Sequence, residues 1–456
     1  MDSILKTNDP VERLFSRINY EKQTRVSSGD FKLSNMFQFL ARLGNPHLAC
    51  PVIHVAGTKG KGSVCAFIGS ILKQAGYRVG IYTSPHLERI NQRIHFDGCE
   101  IDDGELKDVL KKLEPTINKM DLESQTNGTN PLTFFEVITA TGFQYFADKG
   151  ADAVILEVGM GGRLDSTNVC QPQVCVITNI SLDHTRQLGT TTDKIAAEKA
   201  GILKSGVPAI CGVTDELPRQ VIHQIASNVG SRIYQLNQDF YVESSDSEFL
   251  YRSEIRNEGF QTGGLRSAMA GEHQRINAGL AIAASELLTE QGWQLNEDHI
   301  KAGVEQAQLP GRCEVISGCP TFVLDMAHNE ASTAMLAKTL QKDLPCFRQA
   351  ESRVMVFAAS REKNVEAMLR PLLPLFDEVW ITKYTENPRG RCANEIFEIA
   401  SSQNDSPDKK LKIVDSPRAA LELTKENSCP NRVVCITGSA FLVAELRPFL
   451  TVKTEN

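Results

Sequence analysis

Seven residues, Gly57-Thr58-Lys59-Gly60-Lys61-Gly62-Ser63, constrain this chain more than any others. They lie between a short apolar, β-rich run, PVIHVA (Pro51–Ala56), and a stretch of helical apolar spacing, VCAFIGSILKQAG, closed at Gly76. A second strand, RVGIYTS, follows directly. Strand, glycine turn, helix and strand in that order form a βαβ unit, which commits the chain to a parallel sheet covered by helices. The pattern continues with a helix over FFEVITATGFQYFADKG, strands at ADAVILEVG and QVCVITNIS, a helix over TTDKIAAEKAG and a strand at VPAICG.

Residues 238–262 break the series: they alternate and are polar, like an exposed β-hairpin excursion. Helices are expected over HQRINAGLAIAASELLTEQG and near Asn296–Ala307. Pro and Gly then interrupt the helical period in QAQLPGR (Gln306–Arg312), which marks a boundary. A second alternating series follows, with strands at TFVLDMA, RVMVFAAS, DEVWIT, KKLKIVD and NRVVCITGS. The expected fold class is α/β: a P-loop-type, mostly parallel sheet domain over 1–307, then a smaller Rossmann-like α/β domain over 308–456. SSQNDSPDKK (401–410) reads as a polar loop.

Composition excludes several classes. Hydrophobic residues are 41% and charged residues 23% of 456, ordinary globular usage that leaves out disordered and coiled-coil chains. A net charge of -7 offers no basic footprint for nucleic acid or an anionic membrane, so neither is expected as a partner. No apolar run reaches the roughly 18 residues of a membrane span. MDSILKTNDP lacks the basic and apolar regions of a secretory leader. The 12 cysteines form no C-x-x-C pair and read as reduced, so a cytoplasmic location is expected.

In the glycine turn, Gly57, Gly60 and Gly62 let the backbone curl so that its amides and the helix N-terminus face a polyphosphate. Lys61 supplies charge, and the Ser63 hydroxyl can approach a metal or phosphate oxygen. The spacing departs from G-x-x-x-x-G-K-[ST], because Gly62 separates Lys61 from Ser63 and the first glycine is only three residues before Gly60. A plain tight turn with two solvated lysines is the bland reading.

Three further strand ends carry Ser84, Glu157 and the pair Asp183-His184. If the strands are neighbours, these groups converge on one sheet edge and suit Mg²⁺ beside a nucleotide, the metal keeping several waters. Singly, each has a structural reading: a capping serine, a buried ion-pair carboxylate, a core histidine. By composition Lys199 reads as a surface lysine. In the second series, Arg312 at the boundary suits a phosphate, with Asp325 and His328 ending a strand. Equally, Arg312 is solvated and Asp325 caps the helix starting near Glu330; spacing leaves both open.

Seven blocks occur in one order from residue 57 to 329: GTKGKGS, TSPHLERINQRIHFDG, LTFFEVITATGFQYFA, LEVGMGGRLDSTNV, ITNISLDHTRQLGTTTDKIAAEKAGILK, LPGRCEVI and DMAHN. Together they resemble the folylpolyglutamate synthase/dihydrofolate synthase family, a branch of the ATP-dependent Mur-type ligases. The resemblance implies an ATPase first domain and a ligase that joins L-glutamate to a carboxylate of dihydropteroate or a reduced folate through an acyl phosphate.

It also implies site residues. Gly57, Thr58, Gly60, Lys61, Gly62 and Ser63 would hold ATP, with Asn277, Arg312 and Asp325 at nucleotide-contacting positions. Ser84, Glu157 and His184 would ligate Mg²⁺, with two ions typical. Lys199 would be carbamylated, replacing its amine by a carboxylate, and His328 would lie near the reacting groups. Asp165 matches a position that contacts the pterin in bifunctional members. A monomer is expected.

Many bacterial members carry Asn at the position of Lys59, and Arg186 and Gln187 stand where members vary. Alternatives are a monofunctional folylpolyglutamate synthase, a peptidoglycan-precursor ligase (the 56 residues before Gly57 are few for its extra domain) and a nucleotide-binding regulator without catalysis.

Overall fold

The computed structural model describes residues 8–19, 33–245, 248–256, 258–385, 387–404, 409–426 and 431–451. Residues 1–7 of the segment read for a leader and 405–408 of the polar loop lie outside these, as does the side chain of Arg186. The described residues fall into two compact units: those within 1–243, 248–266 and 275–307, and those within 244–247, 267–274 and 308–456.

The first unit contains β1 (Val52–Ala56), β2 (Val79–Tyr82), β3 (Ile94–Phe96), β4 (Cys99–Glu100), β5 (Ala153–Glu157), β6 (Pro172–Ile177), β7 (Ala209–Cys211) and β8 (Ile233–Gln235). They form one sheet in the order β4-β3-β2-β5-β1-β6-β7-β8. Pairing is parallel from β2 to β8, and β3 and β4 add an antiparallel edge. Every residue of β1 and β5 is buried, as expected for near-continuous apolar runs in a sheet covered on both faces. Register pairs Val55 with Glu157 on one side and Val176 on the other, which aligns the carboxyl ends of β5, β1 and β6.

The helix Lys61–Gln74 springs from β1 through Gly60, whose φ of 82° is left-handed. It is wedged at two glycines. A Cβ on Gly69 would come 2.4 Å from Ile81 Cδ1, and one on Gly303 of the neighbouring helix Glu297–Gln306 would come 2.5 Å from Ile71 Cα. The helix Phe134–Lys149 opens with a capping box: Thr133 Oγ1 accepts from the Glu136 amide and Glu136 Oε2 accepts from the Thr133 amide. It ends at Gly150, at φ 63°.

The excursion is a three-stranded antiparallel sheet rather than a hairpin: β9 (Phe240–Ser244), β10 (Phe249–Ser253) and β11 (Phe260–Leu265), in the order β11-β10-β9. Gly263-Gly264 lies inside β11. There the register slips, Phe249 facing Leu265 and Tyr251 facing Thr262, so the glycines absorb a bulge.

The second unit has β12 (Glu314–Ile316), β13 (Thr321–Leu324), β14 (Ser352–Phe357), β15 (Glu378–Ile381), β16 (Lys410–Ile413) and β17 (Arg432–Thr437). Their order is β12-β13-β17-β14-β15-β16, parallel except for β12. No helix among the described residues is long and apolar enough to cross a membrane.

The capping box gives a test of local stability. Thr133→Ala should lower the unfolding free energy by ~1 kcal/mol, and Thr133→Ser should be nearly neutral. Denaturant melts of the two variants check this, and equal losses would show that the hydroxyl contributes nothing.

Candidate active site

The glycine turn is held from behind by the end of β6. Thr58 N donates to Asn179 O (2.9 Å), and Lys59 N donates to Asn179 Oδ1 (2.9 Å). Lys59 O accepts from Thr178 Oγ1 (2.6 Å) and from Asn179 Nδ2 (3.1 Å). Thr58 Oγ1 donates to Ser181 O and accepts from Ser181 N. Gly57 fits only because it lacks a side chain: its φ is 150°, and a Cβ would sit 1.9 Å from Thr178 Oγ1. Buried Asn277 leans on the turn from the other side, its Oδ1 2.5 Å from where a Gly60 Cβ would be. With the turn fixed, the first-turn amides of helix Lys61–Gln74, which have no intrahelical acceptor, are available to an anion. Ser63 is buried in that turn.

The strand ends come together as the sheet order requires. Ser84 N donates to Glu157 Oε2 (3.1 Å), joining the ends of β2 and β5, and Glu157 is buried. Past β6, Asp183 Oδ2 pairs with Lys59 Nζ at 3.2 Å, while Asp183 Oδ1 accepts from His184 N at 3.0 Å. His184 has a left-handed φ of 48°. Against the cost of burial, Lys59 and His184 hold the Asp183 carboxyl below the usual carboxylate range. Partial desolvation and the ammoniums of Lys61, Lys199 and Lys59 push the half-exposed His184 imidazole down, against Asp183.

Lys199 overturns the surface reading drawn from composition. It lies in the last turn of helix Thr192–Ala200, is 4% exposed, and its Nζ donates to Gly57 O at 2.8 Å. Burial, and then the Lys61 charge, lower its pKa from 10.5 to about 7. Lys59, Lys61 and Lys199 therefore surround one turn of backbone, an arrangement that calls for an anion.

Beyond Glu157 the chain turns through Gly159–Gly162. Buried Asp165 organises this loop: Oδ2 accepts from Met160 N (2.9 Å), and Oδ1 accepts from Thr167 N (3.0 Å) and Thr167 Oγ1 (2.6 Å). Burial raises the Asp165 pKa against these donors. The half-buried Phe135 ring lies alongside, because a Cβ on Gly159 would be 2.5 Å from Phe135 Cζ and 3.3 Å from Asp165 Oδ2.

In the second unit, Asp325 does not cap the following helix. Its Oδ2 accepts from Cys313 N and its Oδ1 from Ala327 N, both at 2.9 Å. The helix Glu330–Lys342 is capped instead by Asn329 with Ser332. Arg312 is exposed, between Gly311 (φ 67°) and Cys313 (φ 46°). His328 Nδ1 lies 2.9 Å from Met326 O, so that nitrogen carries a proton.

Comparison with known proteins settles the family. The Mur ligase middle domain model matches residues 55–285, and the Mur ligase, glutamate ligase domain model matches residues 311–440. The dihydrofolate synthase/folylpolyglutamate synthase of Bacillus subtilis is 34% identical over 427 residues, covering 91% of this chain and 94% of its own. The chain belongs to the folylpolyglutamate synthase/dihydrofolate synthase family. It is thus an ATP-dependent, C–N bond-forming ligase of the Mur type. Among solved structures, Escherichia coli FolC in complex with DHPP and ADP has a TM-score of 0.81 at 29% identity, covering 97% of this chain and 98% of its own. A bifunctional folylpolyglutamate synthase/dihydrofolate synthase with Mn, AMPPNP and L-glutamate bound has a TM-score of 0.78 at 28% identity, covering 98% and 99%.

Within this ligase fold, the turn residues, Asn277, Ser84, Glu157, His184 and Lys199 gather at the carboxyl edge of the first sheet, where open α/β folds place ligands. Arg312, Asp325 and His328 belong to the second unit and are described within it. Thr178, Asn179 and Phe135 were not singled out in the sequence. The first two follow directly on a strand, which was a usable signal; Phe135 sits in a helix start rich in apolar residues and carries none.

Lys199 yields a pH prediction. Between pH 7 and 10.5 the unfolded chain binds a proton that folded Lys199 does not, so stability rises with pH across that window and is flat below it. In CO₂-free buffer, wild type should gain on Lys199→Met by up to ~1.4 kcal/mol per pH unit above pH 7. Denaturant unfolding at pH 6, 7, 8 and 9 measures the difference, and parallel curves would refute a depressed amine pKa.

Proposed function

We propose that this chain is a bifunctional dihydrofolate synthase/folylpolyglutamate synthase, which joins L-glutamate to dihydropteroate and to reduced folates. What carries the reading is the convergence at one sheet edge of a clamped glycine turn, three lysines and the Ser84–Glu157 pair. A carboxylate is a poor electrophile because it is anionic and resonance-stabilised. In the proposed reaction, an oxygen of the acceptor carboxylate attacks the γ-phosphorus of ATP and ADP leaves, giving an acyl phosphate. The neutral amine of glutamate attacks the acyl carbon, inorganic phosphate departs with the C–O bond electrons, and the nitrogen loses a proton to form the amide. The protein's part is mainly positioning and charge neutralisation.

Each residue then has a task. Gly57, Thr58, Gly60 and Gly62 shape the turn so that the helix amides cradle the phosphates, Lys61 and Ser63 bind them, and Asn277 braces the turn. Arg312 and Asp325 we assign to the nucleotide, and His328 to the neighbourhood of the reacting groups. Asp165 and Phe135 form the acceptor side: an aromatic face beside a carboxylate suits a flat heterocycle bearing N–H groups. To reach such a group, Asp165 Oδ2 would exchange one of its loop donors for the ligand's.

Divalent metal use accords with the donor set. Among the described residues no three His, Cys, Asp or Glu side chains form a cage. Mg²⁺ needs none, since it commonly takes one or two protein oxygens, phosphates and waters. Ser84, Glu157 and the His184 imidazole, whose pKa is lowered, are donors of the right kind, and we assign two ions to this edge. When bound, the metal supplies Lewis-acid stabilisation of phosphate charge. We assign Lys199 as carbamylated: its buried amine, pKa about 7, is substantially neutral at physiological pH, and only a neutral amine adds to CO₂. The carbamate would replace that amine by a carboxylate close to the Lys61 and Lys59 charges. A cytoplasmic monomer is the state we assign, in keeping with the unpaired cysteines among the described residues.

Phosphate release should require ATP, Mg²⁺, glutamate and acceptor together, with both dihydropteroate and tetrahydrofolate active. Release without acceptor or glutamate would count against a ligase, and activity on tetrahydrofolate alone would leave a monofunctional enzyme. Lys199→Ala should lose turnover by more than about 100-fold, partly restored by short carboxylic acids, a range set by the cost of one removed electrostatic group. An unchanged rate would exclude the carbamate. His184→Ala should raise the Mg²⁺ concentration needed for half-maximal rate; a wild-type metal titration would remove it from the ligand set.

A further inference from the structure

Behind the Asp165 loop lies a chain of buried polar groups, and to all of them but Asp165 the proposed reaction gives no task. Cys170 Sγ is 3.5 Å from His54 Nδ1, His54 Nε2 is 2.9 Å from Thr167 Oγ1, and Thr167 Oγ1 is 2.6 Å from Asp165 Oδ1. His54, Thr167 and Cys170 are 0% exposed and Asp165 is 6% exposed. They come from separate elements: His54 is the middle residue of β1, Thr167 lies in the short helix Ser166–Val169, and Cys170 follows it.

Every proton in this chain is accounted for. Asp165 is an acceptor on both oxygens, taking the amides of Met160 and Thr167, so the Thr167 hydroxyl must donate its one proton to Oδ1. That hydroxyl therefore accepts from His54, whose proton must be on Nε2. Burial lowers the His54 pKa to about 3, so the ring is neutral and its Nδ1 is an acceptor. Burial raises the Cys170 pKa to about 12, so the thiol keeps the proton that it offers to Nδ1. All donors point one way, from Cys170 through His54 and Thr167 to Asp165, and no member can turn without leaving a buried group unpaired.

We propose that His54 and Thr167 are positioning residues for the pterin-bearing acceptor: they fasten Asp165 by Oδ1 so that Oδ2 stays on the Phe135 side of the loop. The inference rests on the assignment of Asp165 to the acceptor. Two features separate the two oxygens. Oδ1 is bound to Thr167, two residues away and inside the same turn. Oδ2 is bound to the Met160 amide and lies 3.3 Å from the point on Gly159 that a Cβ would occupy, the same point that Phe135 Cζ approaches at 2.5 Å. The chain thus binds one carboxylate edge permanently and leaves the other to be shared between loop and ligand. It is also anchored in β1, the strand that runs directly into the nucleotide turn.

The test is steady-state kinetics with dihydropteroate and ATP as separately varied substrates. Thr167→Val should raise the KM for dihydropteroate about five- to tenfold, the value of one ordinary hydrogen bond. The KM for ATP should stay unchanged, and Thr167→Ser should restore the dihydropteroate value. A purely structural role would move both KM values together or neither, and either result overturns the proposal. Asp165→Asn separates the two layers: if it leaves the dihydropteroate KM unchanged, the acceptor assignment fails and the inference with it. If it raises that KM while folded Thr167→Val does not, the assignment stands and the relay is refuted. Nitrogen-15 NMR of wild-type protein labelled at histidine needs no folded variant at position 167. The His54 ring, identified by the signal lost in His54→Gln, should show a protonated Nε2 and a bare Nδ1 from pH 5 to 9; a proton on Nδ1 would overturn the chain's direction.

Discussion

Hydrogen bonds between the Thr58 and Lys59 backbone and Thr178 and Asn179, two of them donated by the turn's own amides, fix the glycine turn and leave the amides that follow it, in the first turn of the helix, available to a ligand. Their presence depends on the strand order. Because β6 runs parallel beside β1, its end arrives level with the turn, and two consecutive polar residues can grip the backbone from behind. The same alignment brings β5 and β2 to the other side with Glu157 and Ser84. The chemistry at this edge therefore follows from the register of one sheet rather than from any single motif.

Lys199 shows what such a site costs the fold. A buried ammonium without a carboxylate partner is expensive, and the protein escapes the expense by letting the amine lose its proton near neutrality. The remaining contact, to the Gly57 carbonyl, ties the helix Thr192–Ala200 to the turn. An amine that is neutral under working conditions is a nucleophile as well as a structural pin, and composition alone carries no hint of either role.

Much of the fold was legible because its strands are long enough to show a pattern. PVIHVA, ADAVILEVG and NRVVCITGS each present a continuous apolar run, and each is a fully buried parallel strand. β3, β4, β8 and β12 have two or three residues, less than two periods of alternation, and only the sheet context defines them. Turn residues of the site were legible from glycine spacing. The burial of Lys199 and the capping of Glu330–Lys342 by Asn329 rather than Asp325 were not, because each depends on a segment distant in sequence: Gly57 for the lysine, Cys313 for the aspartate. The family resemblance implies roles for Lys199 and Asp325; the structure shows their surroundings.

The helix that begins at the glycine turn is packed closely on two flanks. One flank packs on Ile81 at Gly69 and the other takes Gly303 against Ile71, and neither place has room for even a methyl group. The Lys59 side chain and the loop past β6, both far more exposed, are the parts of this edge with freedom to adjust, and the closely packed helix is the anvil against which they are set.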